Sequence, residues 1–185
     1  MNTSAKKIYF YLGLDGDNGK SQVRKLLAGL CGDFSTSLDK DLLIGTKGSK
    51  GRATTWIEPL VKSRLTMSDE LGKSDIISCA KLKEITGETP IAFRSLFKDQ
   101  KRNFVHSCTL MLNTNCIAKF DSLDAATLNR IVIVPCEKQF KDQPDLRKVA
   151  IDCMGTSYRK EMKRNPVLAK QLLEQDGIDA LFTIL

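Results

Sequence analysis

The segment Gly16-Asp17-Asn18-Gly19-Lys20-Ser21 contains the residue types of a phosphate-binding loop. The apolar run 8–12 before it predicts a buried strand, and apolar residues at helical spacing follow it over 21–30. In this order, backbone N–H groups and a helix N-terminus can cradle the phosphates of a nucleotide. Lys20 would reach the β- and γ-phosphates and Ser21 would hold Mg²⁺, so ATP and Mg²⁺ are the predicted cofactors.

The loop departs from the strict pattern G-x-x-x-x-G-K-S/T at its first position. That pattern requires glycine at position 14, where this chain has Leu14, and the glycine lies one place earlier at Gly13. A chance Gly-Lys-Ser in a turn is the alternative interpretation. The strand before the segment and the helix after it favour a phosphate loop.

An acidic pair, Asp69 and Glu70, follows the apolar run 65–67, which predicts a short strand. At the end of a strand, Asp69 would bind Mg²⁺ through water and Glu70 would polarise the attacking water. Acidic pairs are also common at solvated helix starts. Taken alone, the pair leaves both interpretations open.

Two further polar residues adjoin predicted strands. Asn115 ends the run 110–115, where it could sense the γ-phosphate or could simply form a turn. Arg130 directly precedes the apolar run 131–135. It could be a cation at a helix end, or an arginine finger donated to the ATP of a neighbouring subunit.

A hairpin with a charged tip is predicted before Asn115. The strand-like runs 92–97 and 104–112 are separated by the polar stretch 98–103. Lys98, Lys101 and Arg102 lie at this tip and are the predicted contacts to nucleic-acid phosphates. A solvated turn is the alternative, because lysines are common there.

Composition limits the classes of protein. With 185 residues and 42% apolar residues, the chain fits one soluble globular domain. The formal net charge of +7 favours a polyanionic partner, with nucleic acid first and an anionic membrane surface second. Six scattered cysteines and one histidine give no metal-ligand spacing and indicate reduced thiols in an intracellular protein. No apolar run is long enough to span a membrane.

Helices are predicted over 56–64 and 76–85 and in the charged segment after Pro144. We therefore expect an α/β chain with a small C-terminal helical tail. Because the first strand begins so close to the start, the chain is expected to be a fragment of a longer protein.

The order of the motifs carries a family resemblance. Five segments follow one another over about residues 8–140, namely GDNGKS, the pair DE, KLKEITGETPIAFRSLFKDQ, TLMLNTN and LNRIVIVP. In this order the chain resembles the superfamily 3 helicases, specifically the primase-helicase branch of poxviruses, asfarviruses and mimivirus. It is also similar to the primases of phage satellites.

The resemblance implies an AAA+ type P-loop NTPase with a central, mostly parallel sheet flanked by helices. It implies a hexameric ring around DNA with ATP between subunits, and a hairpin at 94–101 that projects into the channel. The family's functional residues match Lys20 and Ser21 in the loop, Asp69 and Glu70 in the acidic pair, Asn115 as sensor and Arg130 as arginine finger.

The implied organisation is one ATPase domain over 1–185, with a core over about 8–140 and a tail over about 141–185. The implied partners are single-stranded and forked DNA, a homo-hexamer, a primase domain and other replication proteins, without a membrane. The implied location is intracellular, and it is the host cytoplasm if the source is a large DNA virus.

The expected function is that of an ATP-dependent DNA helicase motor in a viral primase-helicase. A P-loop kinase or a non-helicase AAA+ ATPase would share the Gly-Lys-Ser loop without needing a basic hairpin. A DNA-binding assembly module with a decayed nucleotide site is the third reading, suggested by Leu14.

Overall fold

A computed structural model describes residues 6–14, 16–44, 54–94, 101–142, 161–163, 165, 167, 170–171 and 174. The α-helices whose bounds are described are α1 Lys20–Cys31, α2 Cys79–Ile85 and α3 Ala125–Leu128, and residues 167 and 170–171 are also helical. Short 3-10 helices cover Gly32–Phe34, Lys40–Leu42 and Thr54–Val61. None of the helices described has the length and apolar character that crossing a bilayer requires.

The described strands are β1 Ile8–Leu12, β2 Ser35–Leu38, β3 Leu65–Leu71, β4 Ile76–Ile77, β5 Ile91–Arg94, β6 Lys101–Phe104, β7 Thr109–Thr114, β8 Lys119–Phe120, β9 Ile131–Pro135, β10 Gln139–Lys141 and β11 Glu161–Lys163. Five of them form the central sheet in the order β2-β3-β7-β1-β9. Every neighbouring pair in this sheet is parallel. The predicted α/β fold with a mostly parallel central sheet is confirmed.

The sheet is covered on both faces because side chains alternate along its strands. Leu110 and Leu112 of β7 point into a core shared with Leu82 and Ile85 of α2. Met111, between them in sequence, joins a second cluster against which α1 packs. Burial on both faces explains why β7 reads as a continuous apolar run.

The predicted hairpin is present, but its second strand is Lys101–Phe104 and not the run 104–112, so the prediction that Lys101 and Arg102 lie at the tip was wrong. Strands β5 and β6 pair antiparallel, with Arg94 opposite Lys101. The run 104–112 is not one strand, since β6 ends at Phe104 and β7 begins at Thr109 in the central sheet. Buried His106 and Cys108 lie in the connection, so its apolar character comes from core packing rather than from strand pairing.

Two predicted helices differ from the structure. The segment predicted over 56–64 forms the 3-10 helix Thr54–Val61, in which Pro59 lacks the N–H that a regular α-helix would use. The helix predicted over 76–85 begins only at Cys79, because Ile76–Ile77 pair with β8. Asp121 accepts a hydrogen bond from the Cys79 backbone N–H, which fixes this helix start and lowers the pKa of the Asp121 carboxyl.

The segment predicted as a helical tail contains a strand. Residues Glu161–Lys163 form β11, which pairs in parallel with β10. Residues 167 and 170–171 are helical, within the predicted second helix, while the predicted helix over 146–154 lies outside the described residues. A strand of three residues carries too little periodicity to be predicted from sequence.

Candidate nucleotide site

The loop between β1 and α1 presents a helix N-terminus. Gly19 is the N-cap residue of α1, has φ 77°, and no side chain caps the helix. The first turn also contains no acidic residue that would compete with an anion. The Gln22 and Val23 N–H groups donate to the Gly19 carbonyl, so those of Lys20 and Ser21 are the ones placed to meet phosphate oxygens.

Lys20 is buried at the start of α1, with 5% of its surface exposed. Its Nζ donates to the Gly13 carbonyl at 3.2 Å, to Asn18 Oδ1 at 3.3 Å and to Asn115 Oδ1 at 2.7 Å. All three acceptors are neutral oxygens. The ammonium charge is thus oriented by partners that an anionic phosphate oxygen would outcompete.

Gly13 performs the close approach that the strict pattern assigns to position 14. A Cβ at Gly13 would lie 2.5 Å from Asn18 Oδ1 and 2.8 Å from Lys20 Nζ. Leu14 is 65% exposed, and it is not among the non-glycine residues with positive φ. Position 13 therefore has no room for a side chain, and the backbone at Leu14 does not require glycine.

Glu70 and Asn115 meet the loop at the carboxyl edge of the sheet. Asn115 follows β7, and its Nδ2 donates to Glu70 Oε2 at 2.8 Å. Since Asn115 Oδ1 accepts from Lys20, one amide joins the carboxylate to the ammonium. The predicted residues Lys20, Glu70 and Asn115 thus lie together in one hydrogen-bonded row.

Asp69 and Glu70 lie within β3, which is longer than predicted and extends to Leu71. The register between β3 and β7 shifts between Ser68 and Leu71. A shift of this kind changes the direction of side chains, and such irregularities occur beside active sites. The Asp69 backbone is placed at this shift, and its side chain lies outside what the structure describes.

A magnesium ion would fit beside Ser21 more readily than in a protein cage. Ser21 is exposed in the first turn of α1, next to Lys20. Among the described residues, no group of three or more His, Cys, Asp or Glu side chains could hold a metal. Mg²⁺ commonly takes one or two protein oxygens together with phosphate oxygens and waters, which matches such an open position.

Arg130 lies at the opposite end of the sheet from Lys20. It immediately precedes β9, which runs parallel to β1 with Ile8 opposite Ile131. Its Nε donates to Thr86 Oγ1 at 3.1 Å and its Nη1 to the Ala126 carbonyl of α3 at 2.7 Å, the contact of a helix-end cation. The five residues of β1 separate the two ends by about 16 Å. The structure therefore does not bring Arg130 to the loop of its own chain.

The predicted nucleic-acid contacts are described only in part. Arg102 is exposed on β6, and Lys101 begins the same strand, although its side chain lies outside the described residues. Lys98 lies in the undescribed stretch 95–100. The position of the tip relative to the hydrogen-bonded row of Lys20, Asn115 and Glu70 thus stays a prediction.

A segment after β9 contacts the loop, and the predictions from sequence did not include it. The backbone N–H of Phe140 donates to the Asp17 carbonyl at 2.9 Å, and Asn18 Nδ2 donates to the Lys138 carbonyl at 3.0 Å. Cys136 lies nearby, where burial raises the pKa of its thiol and the positive charge of Lys20 partly offsets that effect. The aromatic at position 140 is the one local signal that could have indicated packing on the loop.

The chain is similar to viral helicases. It is 29% identical over 138 residues to "Putative helicase 022R" of Frog virus 3 (isolate Goorha), covering 73% of this chain. It is 28% identical over 138 residues to "Putative helicase L207/L206" of Acanthamoeba polyphaga mimivirus, covering 75% of this chain. The match spans 14% of each of these relatives. No family profile matches the sequence.

Solved structures share the fold. The NrS-1 C-terminal region (305–718) has a TM-score of 0.56 at 12% identity, over 94% of this chain and 34% of that one. The JCV helicase has a TM-score of 0.51 at 15% identity, over 95% of this chain and 43% of that one. Together with the viral relatives, this likeness confirms the predicted resemblance to viral helicase domains and the P-loop NTPase fold.

Proposed function

We propose that this chain is the ATP-hydrolysing motor of a superfamily 3 DNA helicase, which works as a hexameric ring with ATP bound between subunits. The observation that carries the proposal is the hydrogen-bonded row of Lys20, Asn115 and Glu70 beside an uncapped helix N-terminus. Viral relatives named as helicases support the same function.

Lys20 and the first turn of α1 bind the β- and γ-phosphates in this proposal. A phosphate oxygen adds the attraction of opposite charges to the hydrogen bond from the Lys20 ammonium, so phosphate oxygens replace the neutral acceptors around Lys20. Ser21 and Asp69 hold Mg²⁺, which when bound neutralises charge on the phosphates. Lys20 then stabilises the charge that the transferred phosphoryl group develops.

Glu70 orients and polarises the attacking water, and Asn115 links it to the nucleotide. The Asn115 amide holds the Glu70 carboxylate through Nδ2 and meets Lys20 through Oδ1. When a phosphate oxygen accepts the hydrogen bond from Lys20 Nζ instead, Asn115 Oδ1 loses this donor. Phosphate binding at Lys20 therefore changes the hydrogen bonding of the amide that holds the Glu70 carboxylate.

Arg130 supplies the arginine finger to a neighbouring subunit. Because it lies at the amino end of β9 while the loop follows the carboxyl end of β1, it cannot serve its own nucleotide. An arginine from the next subunit completes the site in this arrangement. Its present bonds to Thr86 and Ala126 hold it at the rim of the domain.

The β5–β6 hairpin contacts DNA in the ring channel. Lys98, Lys101 and Arg102 give it the positive charge that suits sequence-independent binding to phosphates. Single-stranded and forked DNA, a primase domain, other replication proteins and the host cytoplasm are the partners and the location that belong to this proposal. They rest on the family resemblance.

Two variants test the nucleotide site. Lys20→Ala should weaken ATP binding about 10- to 100-fold, the equivalent of a hydrogen bond to a charged group. Glu70→Gln should keep ATP binding and lower turnover by about 10²- to 10⁴-fold. Lys25→Ala and Glu84→Gln, which change exposed residues on α1 and α2, are the matched controls. Normal hydrolysis by Glu70→Gln would contradict the assigned role.

Adding single-stranded DNA separates the competing functions. The helicase motor should hydrolyse ATP faster with DNA than without it. A kinase or a non-helicase ATPase would ignore the DNA, and a decayed site would hydrolyse nothing. Either result, in protein that is folded and assembled, would refute the proposal.

A further inference from the structure

The segment from Lys138 to Phe140 lies directly against the phosphate loop. Both backbone and side-chain atoms make these contacts. The Phe140 N–H donates to the Asp17 carbonyl at 2.9 Å, and the Lys138 carbonyl accepts from Asn18 Nδ2 at 3.0 Å. The Phe140 ring lies over Gly19, where a built Cβ would be 3.3 Å from its Cε2. These contacts are long-range, joining positions more than 115 residues apart in sequence.

Asn18 connects this segment to Lys20. Its Nδ2 holds the Lys138 carbonyl while its Oδ1 accepts from Lys20 Nζ at 3.3 Å. The backbone on both sides of Asn18 is left-handed, with φ 58° at Asp17 and φ 77° at Gly19. A left-handed non-glycine residue persists where surrounding contacts fix it, and the bond from Phe140 to the Asp17 carbonyl is such a contact.

Strand β10, which contains Phe140, is anchored in turn. It pairs in parallel with β11, and Phe140 lies opposite Met162. The loop is therefore held from a two-stranded ribbon outside the central sheet. This ribbon joins the nucleotide loop to the C-terminal part of the chain through backbone bonds.

We propose that Asn18 and Phe140 are positioning residues that keep the phosphate loop in its binding shape, so that Lys20 meets the nucleotide without a prior rearrangement. The proposal rests on the proposed nucleotide-binding function of the same loop. Neither residue performs chemistry. They raise the fraction of molecules whose loop is ready to bind.

This mechanism predicts a particular kinetic pattern. If the loop is ordered in only a fraction of molecules, the apparent dissociation constant rises by the inverse of that fraction. Once nucleotide is bound, the loop is ordered and turnover proceeds as before. Loss of a positioning residue should therefore raise KM for ATP and leave kcat nearly unchanged, whereas loss of Lys20 should lower both affinity and turnover.

Phe140→Ala tests the proposal in the chain as it stands. Hydrogen exchange of the amides at 16–19 should quicken and KM for ATP should rise about fivefold, because the ring no longer packs over Gly19 and the loop is ordered in a smaller fraction of molecules. Phe140→Leu should restore most of both values, because it keeps apolar bulk over Gly19. Phe34→Ala, at a phenylalanine that is 57% exposed, is the matched control and should change neither.

Unchanged exchange at 16–19, or an unchanged KM, in a variant folded by circular dichroism would overturn the proposal. If Phe140→Ala does not fold, Asn18→Ala is tested by the same two criteria. Exchange is measured without nucleotide, so it decides the positioning role independently. Wild-type protein that neither binds nor hydrolyses ATP would instead refute the proposed function.

Discussion

Gly13→Ala should damage the nucleotide site more than the fold. The added methyl group would lie 2.5 Å from Asn18 Oδ1 and 2.8 Å from Lys20 Nζ. Normal contacts are about 3.5 Å, so these atoms must move by about 1 Å. Both are ends of flexible side chains, and the fold can yield by moving them. A misplacement of about 1 Å in a catalytic group can lower the rate about 100-fold.

The assay is kcat/KM for ATP, with thermal unfolding as the test of folding. We expect Gly13→Ala to lose about 100-fold in kcat/KM, or about 2.7 kcal/mol of transition-state stabilisation. Leu14→Gly is the comparison one residue away and restores the strict loop pattern. Because Leu14 is exposed and needs no positive φ, this change should alter kcat/KM by less than about threefold, below 1 kcal/mol. Normal activity in folded Gly13→Ala, or a tenfold gain in Leu14→Gly, would refute the reasoning.

Three further predictions concern the subunit interface, DNA and pH. Mixing Arg130→Ala with Glu70→Gln subunits should restore turnover at mixed interfaces, because an arginine finger contributes on the order of 10³-fold; no recovery in a mixture shown to co-assemble contradicts the shared site. Replacing Lys98 and Lys101 with alanine should flatten the salt dependence of single-strand binding by roughly 0.7 per lost phosphate contact, and DNA-independent hydrolysis should survive. An unchanged slope would show a solvated turn. Burial lowers the pKa of His106 to about 4, so its neutral form is favoured in the fold. Stability should fall as pH drops from about 6.5 towards 4, by about 2–3 kcal/mol at pH 4.5. Urea unfolding of wild type and His106→Gln checks this, and an equal fall in both would contradict it.

Local patterns in the sequence were sufficient to predict the bounds of strands β1 and β9. The bounds predicted for β1 and β9 match the structure, because both segments are short runs of β-branched and aromatic residues, although β9 is an edge strand of the described sheet with Ile133 exposed. The prediction of a strand over the connection 105–108 was wrong. His106 and Cys108 are buried there by core packing and not by strand pairing. The pairs β4–β8 and β10–β11 depend on residues distant in sequence, and two or three residues carry no period.

The sequence predicted the candidate site residues more completely than the residues that hold them in position. Lys20, Glu70 and Asn115 were predicted from three separate segments, and the parallel sheet brings their carboxyl-end positions together. The close approach of Gly13 to Asn18 could not be predicted from the loop pattern, because it appears only in three dimensions. The contacts of Phe140 and Lys138 with the loop have no sequence pattern at all.

The separation of Arg130 from Lys20 affects how the protein must be assayed. Under the proposed arrangement, one copy of the chain carries the phosphate loop of one nucleotide site and the arginine finger of another. These two halves lie at opposite ends of the same sheet. Dilution separates these halves without altering any residue. Specific activity should therefore climb with protein concentration and level off once copies have associated. A dilute preparation would look inactive while every side chain of its site was correctly folded.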